Sequence, residues 1–202
     1  MDGIDRLKYE KELMAKGYRY IAGVDEVGRG PLAGPVTVCA VIMPLGEGDI
    51  IDGVNDSKKL SARRREQLAP IIKSKAIACE TVSLPHDYID QVNILNATKE
   101  AMRRALAALT VKPDIAIIDA VKLDADCDVF PLIKGDLLSY SVGCASIVAK
   151  VERDAMMDAY ALKYPQYGFD KNKGYGTKVH LEALRQYGAT PIHRRSFITR
   201  II

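Results

Sequence analysis

The residues best suited to chemistry are two adjacent carboxylates, Asp25 and Glu26, which end an apolar, β-favouring run that begins at Tyr18. A Gly-Arg-Gly-Pro turn follows at 28–31. Buried carboxylates are costly unless they are paired or bind a metal, and hard divalent cations such as Mg²⁺ or Mn²⁺ prefer carboxylate oxygens. Glycines let backbone amides approach a ligand closely. This segment predicts a metal site beside a loop that grips substrate.

The pair has a simpler interpretation, in which Glu26 is a solvated turn residue. Adjacent side chains on a regular strand point to opposite faces of the sheet. Asp25 and Glu26 can therefore serve one site only if the strand ends or bends at Glu26, which the glycines that follow would allow.

Two further carboxylates follow the same logic. Asp119 ends the apolar run Ile115–Ile118, and ligand sites of α/β sheets gather outside the carboxyl ends of strands. Asp136 lies just before a long helical pattern, where it could simply stabilise the helix dipole. Taken together, Asp25, Glu26, Asp119 and Asp136 predict an acidic pocket for two metal ions.

Two basic motifs could hold a nucleic acid. Lys58 and Lys59 precede a predicted helix and could grip phosphates, although the motif taken by itself is better explained as a charged loop whose Asp and Ser residues act as caps. Tyr175 is flanked by glycines and by Lys173 and Lys178, so its ring could stack on a sugar or base. The alternative is that Tyr175 lies half-buried in a helix-entry turn.

Several other chemistries are disfavoured. The glycine-rich turn is not G-x-G-x-x-G, and the sequence has no Walker motif, so a dinucleotide cofactor is not expected. The three histidines lack an HExxH arrangement and a nucleophile elbow, which leaves acyl transfer unsupported. The four cysteines form no CxxC pair and are expected to be free thiols, rather than zinc ligands or a disulfide framework.

Length and charge are consistent with one soluble nucleic-acid-binding domain. The chain has 202 residues, enough for one globular domain, and no apolar stretch long enough to span a membrane. Residues 1–10 are polar and lack the apolar core of a signal peptide, so we expect a cytoplasmic protein. From Lys163 onward eight basic residues face two acidic ones, a bias that suits a polyanion or a merely solvated surface.

Strand-like and helix-like patterns alternate along the chain, which predicts a layered α/β domain. The predicted strands are Tyr18–Asp25, Val36–Met43, Ala76–Leu84 and Asp114–Asp119. The predicted helices are Ile4–Lys16, one from the N-cap Ser61 to Lys75, a turn at Pro85–Val92, one from the N-cap Asn96 to Leu109, Leu138–Tyr164 and Thr177–Tyr187.

With these motifs in place, the chain resembles ribonuclease HII, the bacterial type 2 ribonuclease H family. The resemblance runs from about Ile21 to Phe197. It is carried by the segments GVDEVGRGPLAGPV at 23–36, NDSKKLS at 55–61, DA at 119–120, KGD at 134–136, ASIVAKVERD at 145–154 and GYGT at 174–177.

The resemblance implies an RNase H-like mixed β-sheet flanked by helices in a single domain, with a catalytic core over about 1–165 and a small C-terminal helical, substrate-binding part over about 166–202. It implies that the four carboxylates bind Mn²⁺ or Mg²⁺ and are catalytic. Substrate binding would fall to Gly28, Arg29, Gly30 and Tyr175, with Lys58 and Lys59 as phosphate contacts.

The activity implied by the resemblance is endonucleolytic hydrolysis of RNA in RNA–DNA hybrids and of ribonucleotides embedded in duplex DNA. The cut would fall 5′ to the ribonucleotide and leave 3′-hydroxyl and 5′-phosphate ends by a two-metal-ion mechanism. Such a monomeric enzyme would serve ribonucleotide removal and RNA primer removal. Two alternatives remain open: a resolvase- or transposase-like DNA nuclease on the same fold, and a non-catalytic module that only binds hybrids.

Overall fold

A computed structural model describes residues 5–46, 48–55 and 57–202. Its strands are β1 (Ile21–Val27), β2 (Val36–Ile42), β3 (Ala78–Leu84), β4 (Ile115–Asp119) and β5 (Asp128–Leu132). Its helices are α1 (Lys8–Ala15), α2 (Ala62–Lys75), α3 (His86–Val92), α4 (Ile94–Ala108), α5 (Gly135–Leu138), α6 (Tyr140–Lys163), α7 (Phe169–Asn172), α8 (Lys178–Tyr187) and α9 (Arg195–Ile198).

The five strands form one mixed sheet in the order β3-β2-β1-β4-β5. The first three strands are antiparallel neighbours, whereas β1, β4 and β5 run parallel. The expected mixed, helix-flanked sheet is confirmed. Because β1 and β4 are parallel neighbours at its centre, their carboxyl ends emerge at the same edge.

Strand β2 shows how the sheet is buried on both faces. All seven of its residues are buried, as its continuous apolar pattern predicts. Val38 and Ala40 pack into a core with α4, while Cys39 and Val41 pack into a second core with α2 and α6. The alternation places one helical layer on each face.

Gly23 allows the helix α6 to approach the centre of the sheet. A Cβ atom at this position would lie 2.1 Å from the carbonyl carbon of Ser141 and 2.4 Å from the backbone nitrogen of Val142. No side chain can occupy that space without moving backbone. The glycine thus brings the N-terminal half of α6 directly beneath β1.

The C-terminal helices share a separate apolar cluster with the end of α6. Met157 of α6 packs there with Tyr167, Phe169, Leu184 and Ile198. Ala33, from the loop after the Gly-Arg-Gly turn, belongs to the same cluster. This packing fixes the C-terminal helices against that loop.

Several predicted boundaries were wrong. Strand β5 was not predicted, because Asp128–Leu132 contains a proline, which argues against a strand within a sheet. Asn93, rather than Asn96, caps α4, since its side-chain oxygen accepts from the Asn96 backbone N–H. The long helix begins at Tyr140 after a separate turn of helix, α5. The start predicted at Ile4 lies outside the described residues.

The predicted starts of α2 and α8 and the predicted end of α8 are confirmed. The Ser61 side chain accepts from the Arg64 backbone N–H and caps α2. Thr177 caps α8, which ends at Gly188. Within the described ranges, all four cysteines are free, Cys39 and Cys144 being buried, and no helix has the length and apolar character needed to cross a bilayer.

Candidate active site

The parallel pairing of β1 with β4 brings Asp25 and Asp119 side by side. The register pairs Val24 with Ile118, so the two acids are the next residues on each strand. Both acids thus lie where the carboxyl ends of the two strands meet. The sequence-based expectation that these strand ends converge is confirmed.

Asp25 is buried and held by its neighbours. Its Oδ1 accepts from the Glu26 backbone N–H at 2.8 Å, and the Ser146 side chain of α6 lies beside its carboxyl group, where it opposes the rise of the Asp25 pKa. Burial, followed by the negative charge of Glu26, raises the pKa of Asp25 well above its ordinary value. A carboxylate in this position favours a nearby positive charge.

Glu26 does not lie at a strand end, so the expected end or bend at this residue is wrong: β1 continues through Val27. Pairing with β4 stops at Val24, however, which leaves that side of β1 open around Glu26. Burial raises the pKa of Glu26, an effect opposed by the Arg29 guanidinium and augmented by Asp119. The Glu26 Oε2 atom is buried without a hydrogen-bond partner.

Asp119 and Asp136 come together through the turn that precedes α5. The Gly135 backbone N–H donates to Asp119 Oδ1 at 2.9 Å. Burial is the main cause that raises the pKa of Asp119, and the charge of Asp136 adds to it. Ala120 and Lys134, each next to this arrangement, have left-handed φ values of 50° and 62°. Such values are strained for residues with a Cβ atom and are often found at functional sites.

The four acids therefore form a row of interacting neighbours. The negative charge of Asp119 raises the pKa of both Asp25 and Glu26, and the charge of Asp136 raises the pKa of Asp119. Among residues that the structure describes, no three histidine, cysteine or acidic side chains are close enough to hold a metal ion together. The row has the chemistry of a cation site, but its side chains do not enclose one in this conformation.

One of the two predicted lysines contacts the row of acids. Lys58 Nζ lies 3.5 Å from Asp136 Oδ2, with the lysine side chain 82% exposed. Lys59 follows Lys58 on the same turn and is exposed. Asp56, from the same motif, lies outside the described residues. Ser57, which begins this turn, hydrogen-bonds Ser146 Oγ at 2.8 Å. The turn is thereby connected to the serine beside Asp25.

The Gly-Arg-Gly loop faces Tyr175. Gly28 has a φ of +92°, and Arg29 and Gly30 are exposed. A Cβ atom at Gly30 would lie 3.4 Å from Tyr175 Cε1, which places the ring in contact distance of the loop. Tyr175 is 43% exposed, so its ring is available at the surface. The structure thus brings these sequence-predicted residues together.

Two residues around the site differ from expectation. The Lys173 side chain is ion-paired with Asp158 and is only 18% exposed, so it is less available to phosphates than its position in the motif suggests. Ser146 was not predicted as part of the site. The signal was present: a serine within the largely buried, apolar first half of α6 needs a polar partner.

Comparisons with known proteins agree with this arrangement. The family model described as Ribonuclease HII matches residues 22–200. A ribonuclease HII from Ruminiclostridium cellulolyticum is 50% identical over 197 residues, which cover 97% of this chain and 76% of that protein.

Solved structures give the same result. The ribonuclease H2 of Pyrococcus horikoshii OT3 has a TM-score of 0.76 at 27% identity, covering 91% of this chain and 97% of the other. A PCNA:RNase HII complex from Archaeoglobus fulgidus has a TM-score of 0.76 at 27% identity, covering 90% of this chain and 96% of the other. The chain therefore belongs to the ribonuclease HII family of RNase H endonucleases.

Proposed function

We propose that this enzyme hydrolyses the RNA strand of RNA–DNA hybrids and cuts duplex DNA on the 5′ side of embedded ribonucleotides, leaving 3′-hydroxyl and 5′-phosphate ends. The observation that carries the proposal is the row formed by Asp25, Glu26, Asp119 and Asp136 at the carboxyl ends of β1 and β4. An exposed Gly-Arg-Gly loop and an exposed tyrosine ring lie beside it.

We assign the divalent metal ions on which the family depends to these four carboxylates, with Mn²⁺ and Mg²⁺ as the candidates. Two features support the fit: the buried Glu26 Oε2 lacks a partner, and burial with like charge raises the pKa of Asp25 and Asp119. When bound, the ions would neutralise developing phosphoryl charge and help ionise the attacking water. Ser146 and the Gly135 N–H would hold two of the carboxylates in place.

Selection of RNA requires contact with the 2′-hydroxyl, which both donates and accepts hydrogen bonds. The loop at 28–30 supports close contact, because Gly30 presents no side chain and Gly28 adopts a left-handed conformation. We assign 2′-hydroxyl recognition to the backbone of this loop. We assign to Tyr175 the stacking of its ring on the sugar of the following nucleotide.

The remaining surface suits the duplex itself. We propose that Lys58 and Lys59 contact phosphates, that Lys58 does so beside the metal site, and that residues from about 166 onward form a substrate-binding part. The exposed Lys171 and Lys178 belong to that part. We further propose that the enzyme acts in the cytoplasm as a monomer in ribonucleotide and RNA primer removal.

The decisive assay uses a labelled DNA duplex with one ribonucleotide, incubated in Mg²⁺ or Mn²⁺. The matched controls are the same duplex without the ribonucleotide and an RNA–DNA hybrid of equal length. We expect one cut 5′ to the ribonucleotide, with a 3′ end that a DNA polymerase can extend. Cleavage of the all-DNA duplex would instead indicate a DNA nuclease, and binding without turnover in both metals would indicate a binding module.

A further inference from the structure

One C-terminal segment, residues 190–194, lies directly against the chain that follows the Gly-Arg-Gly loop. Ala33 and His193 form an isolated antiparallel bridge. The Arg194 backbone N–H donates to the Leu32 carbonyl at 2.9 Å, and the Gly34 N–H donates to the Ile192 carbonyl at 2.9 Å. The segment is therefore fixed in register with that loop.

Arg194 binds the backbone of the Gly-Arg-Gly loop from the protein interior. Its side chain is fully buried, and it donates to the carbonyl of Arg29 at 3.0 Å and of Gly28 at 2.6 Å. It also donates to the carbonyls of Gly34 and Pro35. Within the described chain no carboxylate forms an ion pair with it, so backbone carbonyls are the main partners of this cation.

His193 is connected to the backbone of Tyr175 through a second buried histidine, His180. Its Nδ1 lies 2.9 Å from the Thr190 N–H and 2.8 Å from the Thr190 hydroxyl. Because the backbone N–H can only donate, we assign Nδ1 as the acceptor and the proton of the neutral ring to Nε2. His180 Nδ1 lies 2.9 Å from the Tyr175 carbonyl, which can only accept, so Nδ1 carries the proton of that ring. The two Nε2 atoms are 2.9 Å apart, with His193 donating and His180 accepting.

These bonds form one directed chain from Thr190 through His193 and His180 to the Tyr175 carbonyl. With these tautomers, every ring nitrogen of both histidines takes part in a hydrogen bond. Arg194 thus binds the backbone of the Gly28–Gly30 loop, and the adjacent His193 is connected through His180 to the backbone of Tyr175. The loop and the tyrosine meet where Tyr175 Cε1 lies 3.4 Å from the Cβ position of Gly30.

We propose that His193 and Arg194, with His180 as the link, are positioning residues that set the spacing between the Tyr175 ring and the Gly28–Gly30 loop. Through this spacing they determine the selectivity for a ribo-to-deoxyribonucleotide step over continuous RNA. The inference rests on the proposed function, because it takes the loop and the ring as the parts that read the substrate.

A packing role is the alternative, since the rings of Tyr167 and Phe169 surround the histidines. Packing depends on volume, whereas positioning depends on which atom donates to Tyr175. The two can be separated by substitutions that keep one nitrogen position of His180 and lose the other. His180→Asn keeps a donor near Nδ1, and His180→Gln keeps a polar atom near Nε2 but loses the donor to Tyr175.

The measurement is kcat/KM on a duplex with one embedded ribonucleotide, divided by kcat/KM on a long RNA–DNA hybrid. We expect His180→Gln to lower this ratio about five-fold, the effect of removing the hydrogen bond to Tyr175. His180→Asn keeps that donor but loses the bond to His193, so it should lower the ratio by a smaller factor, about two-fold. Equal ratios in the two variants would overturn the proposal. Melting temperatures of both variants report any general loss of packing.

A double-variant cycle with Tyr175→Ala tests the route of the effect. Once the ring is gone, adding His180→Gln should not lower the ratio further, and an additive loss would overturn the inference. If Tyr175→Ala lowers the ratio and His180→Gln does not, only the positioning inference fails. If Tyr175→Ala itself leaves the ratio unchanged, the proposed role of the ring fails first.

Arg194→Lys provides an independent arm, which also serves if His180→Gln does not fold. The lysine keeps the charge but cannot bind the carbonyls of Gly28, Arg29, Gly34 and Pro35 together. We expect the same ratio to fall, with the salt dependence of hybrid binding unchanged. An unchanged ratio in folded Arg194→Lys would contradict the proposal.

Discussion

The guanidinium of Arg29 lies 3.2 Å from Glu26 Oε1, so the arginine of the exposed turn folds back onto the acid that precedes it. Lys58 makes the corresponding contact with Asp136 at the other end of the row of acids. Both lysine and arginine side chains are exposed, at 82% and 44%. The two cations thus flank the carboxylates and offset part of their negative charge. A bound metal ion would offset the same charge.

Removal of charge from the acidic row should abolish turnover and spare binding. We expect Asp25→Asn or Asp136→Asn to lower kcat by roughly 1,000-fold or more, because metal ions supply several kcal/mol of charge stabilisation. Hybrid affinity should change little, since the basic surface is intact. Asp170→Asn, at an exposed acid of α7, is the matched control. Turnover near that of the wild type in Asp25→Asn would contradict the assignment.

Melting temperatures test charge repulsion and metal binding at the same site independently of catalysis. In EDTA, Asp25→Asn should be at least as stable as the wild type, because a buried, like-charged carboxylate is removed. Added Mn²⁺ should raise the wild-type melting temperature and raise that of the variant less. Equal gains from Mn²⁺ in both proteins would indicate binding elsewhere.

The ring of Tyr175 should matter most at a ribo-to-deoxyribonucleotide junction. Base–aromatic stacking is worth about 1–3 kcal/mol, so Tyr175→Ala is expected to lower kcat/KM on a single embedded ribonucleotide about ten-fold. The reduction on a long hybrid should be smaller, and Tyr175→Phe should retain most activity because the ring remains. A larger reduction on the long hybrid would exclude this role.

The exposed lysines of the C-terminal helices should contribute to the salt dependence of binding. Charge reversal at Lys171 and Lys178 is expected to reduce the log–log salt slope of hybrid affinity by about 0.9 for each duplex phosphate that the variant no longer neutralises. Lys173 should contribute less, because its side chain is paired with Asp158 and only 18% exposed, whereas the Lys178 side chain, 3.9 Å from Glu182, is 87% exposed. Lys75→Glu, at the far end of α2, is the control. An unchanged slope would mean that these lysines only solvate the surface.

The buried histidine pair should make folding sensitive to acid. Burial, followed by the charge of His180, lowers the pKa of His193 to about 4, and Arg195 and His86 add to this effect. Burial also lowers the pKa of His180. An unfolded histidine has a pKa near ~6.5, so the unfolded chain binds more protons and the free energy of unfolding falls as pH falls through that window.

The test compares wild type with His193→Gln, so that effects of carboxylates shared by both proteins cancel. Denaturant unfolding at several pH values should show the variant less stable at pH 7.5, with the difference narrowing toward about pH 4.5 as the wild type loses the histidine contribution. A difference that stays constant across this range would show that the pair does not titrate in this way.

Close packing of α6 beneath β1 should make Gly23→Ala strongly destabilising. The new Cβ would meet backbone atoms of Ser141 and Val142, which cannot move as a side chain can. We expect a decrease of about 3 kcal/mol or more in the free energy of unfolding. Gly143→Ala, whose nearest neighbour is the end of the Arg6 side chain at 3.3 Å, should cost much less. Equal costs would contradict this account of the interface.

Local patterns in the sequence were sufficient for most of the elements that carry the site. The apolar run of β2 predicts burial on both faces, and Ser61 predicts the start of α2, because both depend on neighbouring residues. Carboxylates that end apolar strands predict convergence at one sheet edge, since parallel strands share that edge. Strand β5 was missed because its stability comes from pairing with β4 and not from its own composition.

Other properties depend on residues far apart in the chain, and spacing cannot encode them. The sequence places Ser146, Lys58 and Lys173 in motifs, but only the folded chain brings them to Asp25, Asp136 and Asp158. Likewise His180 and His193 looked like ordinary core or surface residues. The C-terminal helices pack against the Ala33 loop, with hydrogen bonds between residues up to 166 positions apart. This packing brings Arg194 to the Gly28–Gly30 loop and the two histidines to the backbone of Tyr175.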